Sequence, residues 1–528
     1  MAAPGWGRLY RGTPWVGAFT SLDILSTVTA HSRYAEHLVH PRGRGALTGS
    51  SHRGAAGGSA CGDLVTLSVE IEDGLVAAAG FDARGCGAVV AAGSAVVELV
   101  EGAAVLDAAR VSPDDVDRAL GGLSPARRHA AHLAADALHR ALGAAAAGGA
   151  AVLPPNPRRT LVAMSGGVDS ALAAQLALEA GHEVVGVTLE LWADAENDGG
   201  RSCCSPQAVT GARALAHGMG LPHLTLDLRA AFRREVVEDY LVEHAAGRTP
   251  NPCVRCNGRV RFAEMLRLAG DLGAARLATG HYARIGRDAE GPLLEPAADA
   301  GKDQAYVLAR IGPHDLDRLW FPLGELEKSE VRERARRARI PVADRPDSQD
   351  LCFLAGTGRE QFLRRHGTSP LPTASPPGGE IVALDGRVLG HHDGQERFTV
   401  GQRRGLGLAA PEPLFVVRKD AASGRVTVGP RAALAAGGAV LDAAVLHRPA
   451  ARVDRVKLRY RSAPVPCRVV EDAGPGEHGR LELTFAAPAE AVAPGQTAVL
   501  MQGERVLGAA VVAAATTTTV VAEAASAA

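Results

Sequence analysis

The sequence predicts a multidomain protein: an α+β domain comes first, an α/β domain follows, and all-β barrel domains end the chain. First, 528 residues exceed what one hydrophobic core organises. Second, residues 159–365 alternate short apolar strands with amphipathic helices, the pattern of a parallel sheet covered on both faces. Third, residues from about 380 onward are rich in short strands separated by regular turns, which is typical of small barrels.

Small-residue and proline-rich breaks at 143–158 and 366–380 suggest where these domains meet. The segment from about 510 is low in complexity and is expected to fray after a last strand. We therefore predict a disordered leader at 1–20, the α+β domain at 21–142, a linker at 143–158, the α/β domain at 159–365, a small central domain at 366–436, a barrel at 437–515 and a tail at 516–528.

Bulk composition excludes several classes of protein. The net charge of −1 provides no overall attraction to nucleic acid, so we expect no DNA partner, and any RNA contact must come from a local basic patch. The sequence contains no run of eighteen apolar residues, so we expect no membrane span. Eight cysteines are too few for a disulfide scaffold of this length. They are more typical of reactive or metal-bound thiols in a cytoplasmic enzyme.

The first domain should contain a hairpin and two helices. Strand-like alternation flanks Glu72-Asp73-Gly74, which indicates a tight turn. Residues 88–102 and 124–143 have helical patterns, and the second helix is predicted to begin with Ser124 as N-cap and Pro125 in its first turn.

The α/β domain contains a glycine-rich loop, SGGVDS, between the strand TLVAM and a helix closed by Gly181. Gly166 and Gly167 allow an anion to approach the backbone, and the helix N-terminus adds attraction. No Gly-Lys-Ser/Thr follows, so this is not a Walker loop. It resembles the PP-loop of ATP pyrophosphatases, which implies that ATP binds here and is cleaved between its α and β phosphates. We expect Mg²⁺ to accompany the phosphates, since it prefers oxygen ligands.

Two distant cysteines suggest sulfur chemistry. Cys256, in PNPCVRCN, is predicted to lie just before a helix N-terminus, where a thiolate is stabilised, with Arg255 and Arg259 nearby. Cys352 lies in PDSQDLCFLAG. One thiol could carry a persulfide sulfur while the other resolves the intermediate as a disulfide. The alternative is that both are buried structural cysteines.

Eight segments occur in the order found in the bacterial tRNA-specific 2-thiouridylases, the MnmA family, and the chain resembles that family over about 159–512. They are SGGVDS, RTPNPCVRCN, LATGHYAR, KDQAYVL, FPLGELEKSEVR, DSQDLCFL, TVGQRRGLG and LRYRS. The resemblance implies conversion of the wobble uridine of tRNA to 2-thiouridine. It also implies a PP-loop domain, a small central domain and a C-terminal β-barrel.

The same resemblance implies roles for individual residues. Cys256 would be the nucleophile and Cys352 the persulfide carrier. ATP would be held by Ala163, Met164, Ser165, Gly166, Gly167, Val168, Asp169, Ser170, Leu189 and Gly280. The target base would face Asn251, Pro252 and Cys253, and tRNA would contact Lys302, Asp303, Gln304, Arg459, Tyr460 and Arg461. Independently, KLRYR is a basic and aromatic cluster suited to phosphate and stacking contacts.

The chain departs from the family at Cys253, where many members have Asp. A third thiol leads to the hypothesis that Cys253, Cys256 and Cys352 bind a 4Fe–4S cluster, which would replace or accompany the persulfide route. The adjacent pair Cys203-Cys204 fits one seen in many members, and a structural role is expected for it.

The N-terminal block resembles the iron–sulfur scaffold family of IscU, SufU and the NifU N-terminal domain. SACGDLV and ARGCGAV carry the resemblance. Cys61, Asp63 and Cys86 match ligand positions, His129 could ligate, and Ala130 replaces the third cysteine. The domain could therefore bind zinc or a cluster, accept a persulfide, or be a docking relic.

The predicted function is an ATP-dependent tRNA 2-thiolase that works with a cysteine desulfurase or another sulfur-relay protein. One alternative is an amide-forming ligase of the PP-loop superfamily, which needs no distant cysteine pair and no basic barrel. The other is a non-catalytic iron–sulfur carrier, which would be expected to have a damaged SGGVDS loop, whereas this loop is intact.

Overall fold

The structure is a computed structural model that describes residues 33–45, 47, 52–58, 62–193, 206–347, 351–354, 358–367 and 378–516. The predicted leader, the tail beyond Thr516, Cys61 and the Cys203-Cys204 pair lie outside these residues. Among the helices that it describes, none is both long and apolar enough to cross a lipid bilayer.

The N-terminal domain is a three-stranded antiparallel sheet, in the order β1-β2-β3, with helices packed against it. Its tight turn lies where the sequence predicts it. Asp73 and Gly74 both adopt positive φ angles, 50° and 77°, as a two-residue hairpin loop requires. Residues 33–39 are also helical. The other elements are β1 (Arg53–Gly57), β2 (Leu64–Glu72), β3 (Leu75–Arg84), α1 (Gly87–Val100), α2 (Val105–Ala108), α3 (Pro113–Ala119) and α4 (Arg128–Ala147).

The structure differs from the sequence prediction in where α4 begins and in where the linker begins and ends. Ser124 does not cap the helix: it accepts a hydrogen bond from the Arg127 backbone in a separate turn, and the helix begins at Arg128. The helix then continues to Ala147, five residues into the predicted linker, since alanine has the highest helix propensity. The next strand begins at Asn156, so the irregular connection covers only 148–155.

The middle domain has a five-stranded, all-parallel sheet in the order β10-β7-β4-β5-β6, as expected for alternating strands and helices. The segment RLATGHYARI is broken at Gly280 and forms parts of two strands, β7 and β8. The elements are β4 (Asn156–Ala163), α5 (Val168–Glu179), β5 (Glu183–Glu190), α6 (Pro206–Gly218), β6 (His223–Asp227), α7 (Arg229–Phe232), a π-helix (Arg233–Val237), α8 (Glu238–Ala245), α9 (Pro252–Cys256), a second π-helix (Asn257–Arg261), α10 (Phe262–Asp271), β7 (Ala274–Thr279), β8 (Arg284–Asp288), β9 (Gly291–Glu295), α11 (Ala305–Leu308), α12 (Pro313–Leu316), β10 (Leu319–Trp320), α13 (Lys328–Arg337) and α14 (Gly358–His366).

Helix α4 attaches the N-terminal domain directly to this sheet. A Cβ on Gly143 would lie 1.9 Å from the carbonyl oxygen of Thr225 in β6, so only glycine allows this approach. Arg140 pairs at 3.0 Å with Glu190, whose side chain is 2% exposed, at the end of β5. The two domains are therefore docked through packing and a buried ion pair.

The C-terminal part consists of a four-stranded sheet, β12-β11-β14-β13, and a closed six-stranded barrel, β15-β18-β17-β16-β19-β20. These agree with the predicted small central domain and terminal barrel. The strands are β11 (Gly379–Val382), β12 (Val388–His392), β13 (Phe415–Asp420), β14 (Arg425–Gly429), β15 (Ala435–Leu446), β16 (Arg455–Lys457), β17 (Val465–Val469), β18 (Gly476–Glu490), β19 (Thr497–Gln502) and β20 (Arg505–Thr516).

One end of the barrel contacts the segment that carries the predicted nucleophile. Thr249 donates its backbone N–H to Pro494 at 2.9 Å and accepts from the Gln496 side chain at 2.6 Å. The Tyr306 hydroxyl donates to the Thr497 carbonyl at 2.8 Å. These bonds fix the barrel beside the PNPCVRCN segment.

Candidate functional site

The SGGVDS loop has the strand–loop–helix context that its sequence predicts. Gly166 has a φ of +73°, and Gly167 is the N-cap of α5. The Ser170 hydroxyl accepts the backbone N–H of Ser165 at 3.1 Å and donates to the Gly167 carbonyl at 3.1 Å. The loop is thus closed by its own side chain and stands ready to bind an anion at the helix N-terminus.

The other predicted ATP residues adjoin the loop. Gly280, just after β7, packs so closely that a Cβ there would lie 2.7 Å from the Ser170 backbone nitrogen. Leu189 is nearly buried at the end of β5, and its neighbour Thr188 donates its hydroxyl hydrogen to the Met164 carbonyl at 2.7 Å. All of them lie at the carboxyl edge of the parallel sheet, where nucleotides bind in such folds.

Several charged residues beside the loop were given no role by the sequence analysis. Lys328, the first residue of α13, places its Nζ 2.7 and 2.8 Å from the two carboxylate oxygens of Asp169. Tyr282 donates its hydroxyl to the same carboxylate at 2.8 Å. Asp347 accepts from Lys328 at 2.9 Å and from Lys302 at 2.7 Å. Lys328 and Asp347 occur in two of the segments that carry the family resemblance, which is the one signal that could have singled them out.

The predicted position of Cys256 at a helix N-terminus is wrong. Asn251 is the N-cap of α9, and its side chain accepts the Val254 N–H at 3.3 Å. Cys256 is the last residue of α9, and the chain continues through the π-helix Asn257–Arg261. The helix N-terminus therefore faces residues near 253 and adds little at Cys256, because the dipole effect is confined to the first turn.

The Arg255 side chain, predicted to lie near the thiol, pairs with other groups. It donates to the backbone carbonyl of Glu235 and forms an ion pair with Asp239 at 3.1 Å. Cys256 itself is 6% exposed and belongs to a large apolar cluster. A reactive role for this thiol consequently requires access that substrate binding or a local movement provides.

Cys352 is anchored by aromatic side chains. Its neighbour Phe353 is 1% exposed, and its ring centroid lies 5.0 Å from that of Phe362, 5.1 Å from that of Tyr240 and 5.9 Å from that of Phe232. Only 4% of the chain is aromatic, so this group of four rings, one of which follows the half-buried Cys352 in the chain, is a marked concentration. These contacts position a short segment on which Cys352 is partly accessible.

The two predicted catalytic thiols both adjoin the largest hydrophobic core. Cys256 belongs to this core and Cys352 packs against it, but the core extends from the N-terminal domain to the barrel, so the pairing of the two thiols stays a prediction. Together with Cys253 they do not form a group whose ligand atoms all lie within 4.8 Å of one another. A multi-iron cluster spans a wider gap than a single ion, so the cluster hypothesis stays a prediction.

Some residues predicted to contact tRNA also hold the fold together. Asp303 accepts the backbone N–H groups of Ala297 and Ala305, both at 3.1 Å. Gln304 accepts the backbone N–H of Tyr282 at 2.9 Å. Their side chains therefore shape the loop, and their contact with tRNA stays a prediction.

Of the predicted trio Arg459, Tyr460 and Arg461, the first is bonded within the fold and the other two are exposed. Arg459 donates to the carbonyls of Val400 and Ala491, at 2.7 and 2.9 Å, and so joins the central domain to the barrel. Tyr460 and Arg461 are exposed. Burial, together with the neighbouring charges of Asp303 and Cys253, raises the pKa of Tyr460.

A second candidate site lies in the N-terminal domain. The ligand atoms of Asp63, Cys86 and His129 lie within 4.8 Å of one another, and among the described residues no other group of three His, Cys, Asp or Glu side chains comes as close. Asp63 accepts from the Cys86 thiol at 3.2 Å and lies 2.8 Å from His129 Nε2. The Cys86 backbone N–H and His129 lower the pKa of Asp63. Ala130 is fully buried and offers no ligand, so Cys61, outside the described residues, is the remaining candidate for a fourth.

This donor set fits a metal. A thiol, an imidazole and a carboxylate are the usual zinc ligands, and a thiol with a histidine also suits iron–sulfur ligation. His129 donates from Nδ1 to the Ala126 carbonyl at 3.0 Å, while its Nε2 faces Asp63 and Cys86. A bound metal would take the lone pair of Nε2 in place of the proton shared with Asp63, and a backbone carbonyl on Nδ1 is the partner that orients many metal-binding histidines.

Comparison with known proteins covers nearly the whole chain. Residues 30–147 match the family described as NifU-like N terminal domain, and residues 158–356 match the tRNA methyl transferase HUP domain. Residues 362–430 match the tRNA methyl transferase PRC-barrel domain, and residues 448–512 match the aminomethyltransferase beta-barrel domain.

Individual relatives share this arrangement. The bifunctional protein NifU/MnmA of Rubrobacter xylanophilus is 45% identical over 492 residues, which are 91% of this chain and 97% of that protein. The tRNA-specific 2-thiouridylase MnmA of Hyphomonas neptunium is 45% identical over 370 residues, 67% of this chain and 91% of that protein. The protein of the same name from Geobacter metallireducens is 43% identical over 361 residues, 66% of this chain and 95% of that protein.

Proposed function

Because the chain belongs to the bifunctional NifU/MnmA family, we propose that it is an ATP-dependent tRNA 2-thiouridylase with a fused iron–sulfur scaffold domain. The observation that carries the proposal is the 45% identity to a protein of this name, in an alignment that covers 91% of the chain and so includes both parts. An intact SGGVDS loop supports it and disfavours a non-catalytic carrier, and the presence of Cys256 and Cys352 disfavours an ammonia-using ligase, which needs no distant thiol pair.

The loop would bind ATP through its backbone N–H groups and the N-terminus of α5. The C2 oxygen of the wobble uridine attacks the α-phosphate, pyrophosphate leaves, and the base is activated as its adenylate. Asp169 is the carboxylate of the loop that fits Mg²⁺, which neutralises phosphate oxygens when bound. The activated C2 then has AMP as its leaving group.

The next step is sulfur transfer, which uses the two thiols. The terminal sulfur of a Cys352 persulfide attacks C2, and AMP departs with the C–O bonding electrons. The Cys256 thiolate then attacks the Cys352 Sγ, which breaks the S–S bond and leaves the transferred sulfur on C2 as a thiocarbonyl. The product Cys256–Cys352 disulfide needs a thiol reductant, and a cysteine desulfurase or another sulfur-relay protein must renew the persulfide.

The test uses the full-length chain with unmodified tRNA, ATP and a persulfide donor, and it measures AMP, pyrophosphate and 2-thiouridine. We expect all three products from the wild type and no 2-thiouridine from Cys352→Ser or Cys256→Ser. Cys467→Ser is the matched control, since burial in the barrel raises the pKa of Cys467 to about 12 and makes that thiol inert. AMP release that does not depend on tRNA would contradict the proposal.

The three-cysteine cluster is a second candidate for the sulfur source. Cys253, which stands where many members have Asp, supports it, because three thiols leave one iron open for sulfide. Anaerobic reconstitution with iron and sulfide should give a charge-transfer band that Cys253→Asp removes. A colourless, iron-free protein that still thiolates tRNA from a persulfide donor would eliminate the cluster route.

We further propose that the N-terminal site binds zinc or an iron–sulfur cluster, and that Cys86, once loaded as a persulfide, passes its outer sulfur to the Cys352 thiolate of the same molecule and leaves as a thiolate. The docking of α4 on the sheet supports this, since His129 in the first turn of α4 and Arg140 at the sheet edge are 11 residues apart (140 − 129), about 16 Å along a helix. Metal analysis of the full-length protein should show one site that Cys86→Ser removes. Unchanged tRNA thiolation in cells that carry Cys86→Ser would reject delivery from this site.

A further inference from the structure

The first residue of β6 joins the N-terminal domain to the parallel sheet. β6 is an edge strand of this sheet, so part of its backbone lacks a neighbouring strand to bond with. His223, where β6 begins, donates its backbone N–H to the carbonyl of Ala109, in the N-terminal domain, at 3.0 Å. His217 of α6 donates from Nε2 to the same carbonyl at 3.2 Å. The N-terminal domain thus satisfies polar groups at the open edge of the sheet.

The His223 side chain extends this connection into the sheet. Its Nε2 lies 2.8 Å from the Thr188 hydroxyl of β5, and that hydroxyl donates its one hydrogen to the Met164 carbonyl at 2.7 Å. Since the hydrogen is used there, the Thr188 oxygen accepts and His223 is the donor. Met164 directly precedes Ser165, the first residue of the SGGVDS loop. Hydrogen bonds therefore lead from Ala109 to the start of the loop.

Stability alone does not account for a histidine at this position. His223 is fully buried, and its Nδ1 has no hydrogen-bond partner among the described residues. A buried polar atom without a partner costs stability, and an apolar side chain would avoid that cost. Burial and the charges of Arg213 and His217 lower the pKa of His223 well below 6.5, so the ring is neutral and keeps its hydrogen on Nε2. What the histidine adds is the bond to Thr188.

Close packing leaves these side chains little room to move. A Cβ on Gly186 of β5 would lie 2.9 Å from the Met164 Sδ and 3.2 Å from the His223 Cδ2, so both side chains press on this one position. Met164 also donates its backbone N–H to the Val187 carbonyl at 2.7 Å. A densely packed interior transmits a displacement, so a shift of the histidine ring reaches Met164.

We propose that His223 is a positioning residue of the nucleotide site, and that the docked N-terminal domain holds the start of the loop through His223, Thr188 and the Met164 carbonyl. The inference rests on the proposed binding of ATP by this loop. It gives the N-terminal domain a second task besides metal binding, because the affinity for nucleotide then depends on how that domain sits on β6.

The experiment is calorimetric titration of the full-length protein, without tRNA, with α,β-methylene-ATP plus Mg²⁺, together with thermal denaturation of each variant. His223→Leu removes the donor, and loss of one buried hydrogen bond predicts binding about 3- to 10-fold weaker. His223→Gln retains an N–H donor and should recover most of the affinity. His217→Leu is the matched control. It removes a bond to the same Ala109 carbonyl and should lower the melting temperature, yet bind the analogue as the wild type does.

A second variant tests the N-terminal domain itself. Gly143→Ala places a methyl carbon 1.9 Å from the Thr225 carbonyl oxygen of β6, so α4 must move away from the sheet. If the domain acts through His223, Gly143→Ala alone should weaken binding of the analogue. Combined with His223→Leu, it should weaken binding no further than the larger of the two single losses, because both changes release the same connection.

Three results would overturn the proposal. The first is wild-type affinity in either His223→Leu or Gly143→Ala. The second is a loss that His223→Gln shares in full, which indicates that the volume of the ring matters and its donor does not. The third is a double variant whose loss is the product of the two single losses, since the domain would then act by another route. Thr188→Val removes the hydroxyl at nearly the same volume and provides the test if His223→Leu does not fold.

This experiment stands apart from the test of thiolation. A wild type that binds the analogue with the predicted dependence on His223 but forms no 2-thiouridine would contradict the proposed function alone. A wild type that thiolates tRNA while its nucleotide affinity is indifferent to His223→Leu would contradict this inference alone.

Discussion

Gly280 offers the sharpest test of the site geometry. A Cβ at this position would lie 2.7 Å from the Ser170 backbone nitrogen and 2.8 Å from the Asp169 carbonyl carbon. Ordinary contact begins at 3.4 Å, so the start of α5 must retreat by about 0.7 Å (3.4 − 2.7). The obstacle is backbone and cannot rotate away. Overpacking of this kind costs about 1–3 kcal/mol.

The change Gly280→Ala should therefore weaken ATP binding about 5- to 150-fold, because the displaced segment is the one that faces the phosphates. Titration with α,β-methylene-ATP and a thermal denaturation scan would measure the two consequences separately. Gly211→Ala is the control: this glycine lies in helix α6 with nothing within 4 Å of its absent Cβ, and alanine there should stabilise by about 0.5–1 kcal/mol. Wild-type nucleotide affinity in Gly280→Ala would refute the argument.

Three further predictions concern the N-terminal domain. Arg140→Met leaves the Glu190 carboxylate buried without this partner, so the free energy of unfolding, measured by denaturant titration, should fall by about 3 kcal/mol. Adding the change Glu190→Gln should recover part of the lost stability. Burial lowers the pKa of His139 well below 6.5, so its contribution to stability is complete above pH 6.5 and is lost as the pH falls below that value. Melting temperatures measured from pH 7.5 to 5 should fall less steeply for His139→Gln than for the wild type. Cys86→Ser should abolish bound zinc or iron in elemental analysis of the intact protein, and retention of one full equivalent would place the metal elsewhere.

Much of the fold and of the nucleotide loop could be predicted from local patterns. The hairpin at Asp73-Gly74 needs positive φ at two adjacent residues, and that requirement is visible in the sequence. The SGGVDS loop, likewise, is contiguous, so its glycines and its helix dipole act on the same anion. Local patterns did not predict the surroundings of Cys256. This residue ends α9, and the chain continues directly into the π-helix Asn257–Arg261.

The amino-acid sequence by itself determined the order of the domains, the phosphate-binding loop and the two thiols, since each is written in short contiguous segments. Only the tertiary structure decided that Lys328 meets Asp169, that Asp347 joins both to Lys302, and that α4 lies on β6. Contacts between residues 159 positions apart depend on the order of strands in the sheet and on which helix follows each strand. No periodicity of 2 or 3.6 residues encodes such a contact, so the charges around the nucleotide loop became visible only once the chain was folded.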